Sequence, residues 1–326
     1  MAKIIHGVAM LKALAILVLS FTGSMALANG DMNPGTQACV EQFQARVQKK
    51  IELGVPSKHL PRLYLPSSNP KNTVVIFTHG IFESPYFFKG INNIFAEQGF
   101  ITLSVLLPGH WEGNWGSMRN VSYRDWISEL NENVRIAQCF GNKIIFAGHS
   151  LGGLLSMNAA LQHPDLTAGV MLWTPALAMR MLPAIGGVLG GLLHIDGNIV
   201  YKSPDLDEQA LYAPNAAKQV GKMISHVRDT YGGGAMSKVY PRLDTPTFLA
   251  YAARDPAVDV DELTRAAHQI RGLKPLDVMF FPTKTGVWHG NIVKSKVDSY
   301  KRKKLDYNPR WNSMKEHIEL FLRENF

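Results

Sequence analysis

The octapeptide FAGHSLGG, residues 146–153, sets Ser150 between glycines at 148 and 152. An apolar run, KIIFA, leads directly into it and a helical pattern, LLSMNAALQH, follows. Strand, sharp turn and helix in that order form a nucleophile elbow, in which a serine stands exposed above a sheet. The flanking glycines fit, because a Cβ at either position of so tight a turn would clash with neighbouring chain. The other reading, an ordinary serine in a glycine-rich loop, has no need of that context.

Outward from the elbow, short apolar runs alternate with helical patterns after residue 70, which is how a mostly parallel sheet with crossover helices reads. Candidate strands are Val74 to Thr78, Ile101 to Leu106, Lys143 to Ala147, Gly169 to Trp173, Thr247 to Ala252 and Leu276 to Phe281. Each carries β-branched or aromatic residues and stops at a glycine, proline or polar residue. In SYRDWISELNENVRIAQ, Ser122 and Asp125 make a capping box, and Trp126, Leu130, Val134 and Ala137 share one helical face. The final helix presents Trp311, Met314, Ile318 and Phe321 in the same way. Between Thr174 and Thr245 the alternation breaks, with an apolar, glycine-rich stretch, LAMRMLPAIGGVLGGLLHI, and then a mixed helical pattern from Asn215 to Tyr231. A connection of that size has structure or function of its own, and it reads as a cap.

A serine hydroxyl is a weak nucleophile until a histidine, oriented by a carboxylate, takes its proton. In this architecture the chain order is serine, acid, histidine. Of the eleven histidines, only His289 and His317 lie beyond the last candidate strand. His289, in the loop TKTGVWHGN, is preferred to His317, which sits on the surface of the terminal helix. FLAYAARDPAVD offers two acids. Asp255 comes three residues after the strand's apolar run and precedes a stiffening proline, whereas Asp259 opens a helix and reads as its N-cap. An oxyanion hole needs one amide after the nucleophile, that of Leu151, and one from the THGIFES loop, at Ile81 or Phe82.

Taken together, THGIFESP, LLPGH, SYRDW, GHSLGG, ARDPAVD and WHG resemble the α/β-hydrolase family over about residues 72 to 326, and within it the carboxylesterases and monoacylglycerol-lipase-like enzymes. The resemblance implies an α/β-hydrolase fold: a mostly parallel central sheet flanked by helices, with a cap inserted between the sixth and seventh strands. The chain then divides into a signal peptide (1–28), an N-terminal arm (29–71), a first part of the core (72–174), a cap (175–245) and a second part of the core (246–326). By position the resemblance implies Ser150 as nucleophile, Asp255 as acid, His289 as base, and the amides of Phe82 and Leu151 as oxyanion donors. Two departures stand out. PGHWEGNWGS brings Trp111 and Trp115 to the rim, where with Ile81 they are candidates for the acyl pocket, and the arm containing Cys39 has no counterpart in the family pattern.

The first 28 residues carry Lys3 and Lys12, an apolar run from Ala13 to Phe21 and small residues at Ala26 and Ala28, the pattern of a cleaved secretory signal. Export to the periplasm or cell exterior follows as an expectation, and an oxidising compartment favours pairing of the two cysteines, Cys39 and Cys139. The formal charge of +8 is concentrated in VKSKVDSYKRKK, residues 293–304. Such a run can touch an anionic membrane surface, but no recognition motif accompanies it, so nucleic acid is not an expected partner. No phosphate loop, dinucleotide fingerprint or metal-ligand spacing is present, and no cofactor or metal is expected; Gly232 to Gly234 lacks the strand-to-helix setting of a phosphate loop. The expected reaction is acyl transfer through an acyl-enzyme on a small-molecule or lipid ester, with amides, thioesters, lactones or a non-catalytic binding role as alternatives.

Overall fold

The computed structural model describes residues 34–66, 70–112, 118–180, 199–201, 210–212, 214–270, 276–296 and 307–326. The signal segment, Trp115, most of the glycine-rich stretch around Leu177 to Leu193 and much of the basic run lie outside them.

The helices are α1 (Pro34–Glu52), α2 (Lys89–Glu97), α3 (Tyr123–Ala137), α4 (Leu151–Gln162), α5 (Pro214–Gly232), α6 (Val260–Ile270) and α7 (Trp311–Asn325). The strands are β1 (Arg62–Tyr64), β2 (Thr73–Thr78), β3 (Ile101–Val105), β4 (Lys143–His149), β5 (Thr167–Trp173), β6 (Ile199–Tyr201), β7 (Ala210–Tyr212), β8 (Thr247–Ala252) and β9 (Leu276–Phe281). A seven-stranded sheet runs β1-β3-β2-β4-β5-β8-β9. All its pairings are parallel except β1 with β3. All six expected strands are present, within two residues at each end.

Alternation along each strand builds a core on both faces of the sheet. Val74, Ile76, Ile144 and Phe146 face Trp126 and Leu130 of α3 and Leu154 of α4. Val75, Phe77, Ile145 and Ala147 face Ile91 and Phe95 of α2 and Ile318 and Phe321 of α7. Each such valine, isoleucine, leucine or phenylalanine contributes about 1.5–3 kcal/mol by leaving water. The expected helix ends are also found: Ser122 and Asp125 form a reciprocal capping box on α3, and Asp259 Oδ1 accepts the Asp261 and Glu262 amides at the start of α6.

One expectation needs correction. The insertion of residues 175–245 follows the fifth strand of this sheet in chain order, not the sixth: among the described residues ahead of it, β1 is the one strand added to the four expected there. The arm, which has no counterpart in the family pattern, is part of the domain. It forms α1, which buries Phe43 and Val47 in the core, and then β1 on the sheet edge. Within the insertion, β6 and β7 make a small antiparallel pair and α5 covers the expected helical pattern.

Cys39 on α1 and Cys139 just after α3 are joined by a disulfide across 100 positions of chain. Replacing both by serine is expected to lower the unfolding free energy by about 2–5 kcal/mol in urea titrations. Thiol titration of denatured, unreduced protein should find no free thiol; two free thiols, or an unchanged urea midpoint, would contradict the assignment.

Candidate functional site

Five loops at the carboxyl ends of β2, β3, β4, β8 and β9 converge where the strand order reverses, the usual location of a ligand site in an open parallel sheet. The elbow between β4 and α4 is its centre. Ser150 has φ 55° and ψ −120°, a conformation costing a non-glycine residue about 1–3 kcal/mol. Backbone bonds lock it there: Ser150 N–H donates to Trp173 O (3.0 Å), and Ser150 O accepts from Ala176 N–H (2.9 Å). A Cβ at Gly148 would lie 2.2 Å from Gly152 O, and one at Gly152 would lie 1.9 Å from Thr78 O. Only glycine lets the turn close against β2.

The expected acid and base meet this serine. His289 Nε2 lies 3.0 Å from Ser150 Oγ, and its Nδ1 lies 2.7 Å from Asp255 Oδ2. Asp255 is fully buried, and its other oxygen accepts the Ala257 and Val258 amides at 2.9 and 3.0 Å. Burial alone would raise this carboxyl's pKa; the hydrogen bond and charge of His289, with the two amides, outweigh it and hold it below the ordinary value. An ionised, acceptor-only Asp255 places the proton of a neutral His289 on Nδ1 and leaves the Nε2 lone pair facing the serine hydroxyl. The two competing candidates lie elsewhere, Asp259 as a helix cap and His317 with its Nδ1 turned back to Ser313 O on α7.

Leu151 is the first residue of α4, where an amide has no partner within the helix. Across from it, Gly80 to Glu83 form a turn closed by Glu83 N–H to Gly80 O (3.2 Å), with Phe82 at φ 62°. A Cβ on Gly80 would come within 3.0 Å of Ser150 Cβ, so this loop lies against Ser150. Ile81 and Phe82 are half-buried, whereas Trp111 is 3 % exposed behind the loop, with Nε1–H donating to Glu83 O (2.9 Å).

Several supporting residues carry no signal in the sequence. His149, immediately before Ser150, has Nδ1 2.8 Å from Glu83 Oε2 and Nε2 3.0 Å from His289 O. A carbonyl only accepts, so Nε2 donates to it, while Nδ1 faces the Glu83 carboxylate. Glu83 Oε2 also accepts Gly80 N–H at 2.8 Å. Burial raises the Glu83 pKa, but His149, the Gly80 amide and His289 together overcome that and bring it down to about 2. Thus one acid–histidine pair ties the loops after β2, β4 and β9 together. Buried Asn291 accepts Trp288 N–H and donates to Gly286 O, fixing the His289 loop, and Arg180 Nη1 donates to Asp255 O from the start of the insertion. Glu83 and His149 fall inside the recognised motifs, but no spacing rule links positions 66 apart.

Two sequence comparisons and the fold agree. The family profile Hydrolase_4, serine aminopeptidase S33, matches residues 68–274. A thermostable monoacylglycerol lipase of Bacillus sp. (strain H-257) is 28% identical over 142 residues, covering 42% of this chain and 54% of that protein. The chain therefore spans about half the length of that curated relative. Among solved structures, one described with two metagenome-derived lipolytic enzymes has a TM-score of 0.61 at 19% identity, covering 83% of this chain and 99% of its own. A monoacylglycerol lipase of Paleococcus ferrophilus has a TM-score of 0.60 at 17% identity, covering 82% and 98%. These likenesses identify the fold as that of an α/β-hydrolase.

Because the folded-state pKa of Glu83 is depressed from 4.5 to about 2, its contribution to stability is present above pH 4.5 and is lost as pH falls between those values. Urea melts of wild type and Glu83→Gln should accordingly differ most above pH 4.5 and converge toward pH 2. A difference that does not change with pH would contradict this assignment.

Proposed function

The chain belongs to the serine aminopeptidase S33 family of α/β-hydrolases, and from that membership we propose that it is a serine hydrolase of carboxylic esters with Ser150, His289 and Asp255 as its triad. One observation carries the reading: the unbroken line of contacts from Asp255 through His289 to a strained Ser150.

In this mechanism Ser150 Oγ attacks the ester carbonyl while His289 Nε2 takes its proton. Asp255 keeps the imidazole in the correct tautomer and stabilises the cation that forms, without accepting the proton. The developing oxyanion is held by the amides of Leu151 and Phe82, fixed dipoles that need no reorganisation. His289 then protonates the departing alcohol, and a water activated by the same nitrogen releases the acid from Ser150. The half-buried Ile81 beside the loop is the proposed start of the acyl wall. An apolar acyl group is supported by the composition of residues 177–193, and by the names of the relatives, which are lipases of monoacylglycerol.

Export is part of the proposal. It is supported by the signal-like first 28 residues and by the Cys39–Cys139 disulfide, a pairing favoured in oxidising compartments. A second reading, cleavage of an amide by the same triad, draws on the family description as an aminopeptidase. Competition between matched ester and amide substrates separates the two.

Hydrolysis of p-nitrophenyl esters from short to long acyl chains should be measurable for wild type, with the preferred length sizing the pocket. Asp255→Asn is expected to lower kcat by about 10⁴-fold by favouring the wrong tautomer of His289. Asp259→Asn should keep kcat within about twofold, since asparagine caps helices nearly as well. Equal losses in the two variants would remove Asp255 from the triad, and activity on amides alone would replace the ester reading.

A further inference from the structure

The arm lies almost entirely outside the stretch matched by the family profile, yet it reaches the active-site loops. Its anchors run along its length. The disulfide joins α1 to the end of α3, and Arg46 pairs with Glu129 at 2.5 Å. Lys50 Nζ lies 3.4 Å from Glu112 Oε1, the oxygen that also accepts Gly109 N–H in the loop after β3. Beyond α1, Val55 and Leu60 are buried in the core, and β1 pairs with β3. Between these anchors sits His59, completely buried.

His59 touches both loops behind the nucleophile. Its Nδ1 is 2.7 Å from Ser84 Oγ, and its ring stacks on Trp111 with centroids 3.5 Å apart and planes 16° apart. Trp111 in turn donates to Glu83 O, and Ser84 Oγ accepts Tyr86 N–H at 3.3 Å. Both loops need such support, because Phe82 at φ 62° and Trp111 at φ 56° occupy the left-handed region that non-glycine residues avoid. Backbone in that region persists where its surroundings over-determine it. On the inner side, Glu83 and His149 supply the restraint; on the outer side it comes from His59.

We propose that His59 is a positioning residue for the oxyanion loop, and that the disulfide-tethered arm is therefore a working part of the active site. It acts through Ser84 and Trp111, which hold the Gly80–Glu83 turn and with it the Phe82 amide at the distance the tetrahedral oxyanion requires. Burial, aided by neighbouring Lys58 and Arg62, lowers the pKa of His59 to about 3, so its ring stays neutral near neutral pH. The proposal rests on the serine-hydrolase reading above.

The test compares His59→Ala, His59→Asn, His59→Phe and Ser84→Ala in the full, oxidised chain, with kcat expressed per active site titrated by a fluorophosphonate. A displacement of about 1 Å at a reacting group costs on the order of 100-fold. The alanine variants are accordingly expected to lose about 10–100-fold in kcat, with KM within about twofold. The inhibition constant of a trifluoromethyl ketone, which forms the tetrahedral adduct reversibly, should rise by the same factor as kcat falls. Asparagine, whose amide can stand where Nδ1 stands, should recover most of the loss; phenylalanine, which keeps only the stacking, should not. If His59→Ala is unstable, Ser84→Ala carries the comparison on its own.

Equal kcat per titrated site and an unchanged ketone constant in both alanine variants would overturn the proposal, leaving the arm as a brace for stability. A raised KM at constant kcat would also overturn it and make the arm a wall of the substrate site. Failure of the serine-hydrolase reading looks different, since wild-type turnover would then survive Ser150→Ala.

Discussion

Everything at the site depends on a single backbone constraint: Ser150 is held at φ 55° between a strand and a helix. An L-residue adopts that conformation only when its neighbours leave no alternative. The bonds to Trp173 and Ala176 fix it from β5 and the chain that follows, and Gly148 and Gly152 let β4, α4 and the end of β2 approach closely enough to close the turn. The strain is offset by the packing of two apolar layers on the sheet. It places the hydroxyl at the start of a helix and within hydrogen-bond distance of a histidine.

Around that serine, the loops are tied to one another as well as to the scaffold. The Glu83–His149 pair binds the loop after β2 to the elbow and to the backbone of His289. Arg180 reaches from the insertion to the backbone of Asp255, and Asn291 closes the turn that carries His289. His79 donates to Gly80 O and accepts Leu107 N–H, joining the loops after β2 and β3 from beneath. Each tie restricts a loop that would otherwise be among the more mobile parts of a fold of this kind. The result is a preorganised set of donors and acceptors, the property from which enzymes of this class draw most of their rate.

The parts of this arrangement that were legible in the sequence are those encoded by local pattern. Strands such as VVIFT and KIIFA announce themselves by continuous apolar, β-branched runs. The capping box at Ser122 and the elbow around Ser150 have fixed short spacings, and Asp255 and His289 follow once the order of strands is known. What escaped notice is non-local or too short to show a period. Strand β1 has three residues, Arg62–Tyr64, set between prolines at 61 and 66, and it is defined by its partner β3. Glu83 and His149 are 66 positions apart, and His59 and Ser84 are 25 apart; neither pair follows a spacing rule. Trp111 in the loop after β3 reads from the sequence as a candidate pocket residue, but its stacking on His59 exists only with the arm folded against the core.

The central claim is that Ser150 becomes covalently acylated with His289 as its base. Peptide mass spectrometry of protein reacted with a slowly deacylating ester tests it most directly. The account predicts one acyl group per chain on the peptide containing Ser150, with formation slowed by orders of magnitude in His289→Ala. An adduct on another residue, or turnover of the ester with no dependence on Ser150 or His289, would contradict it.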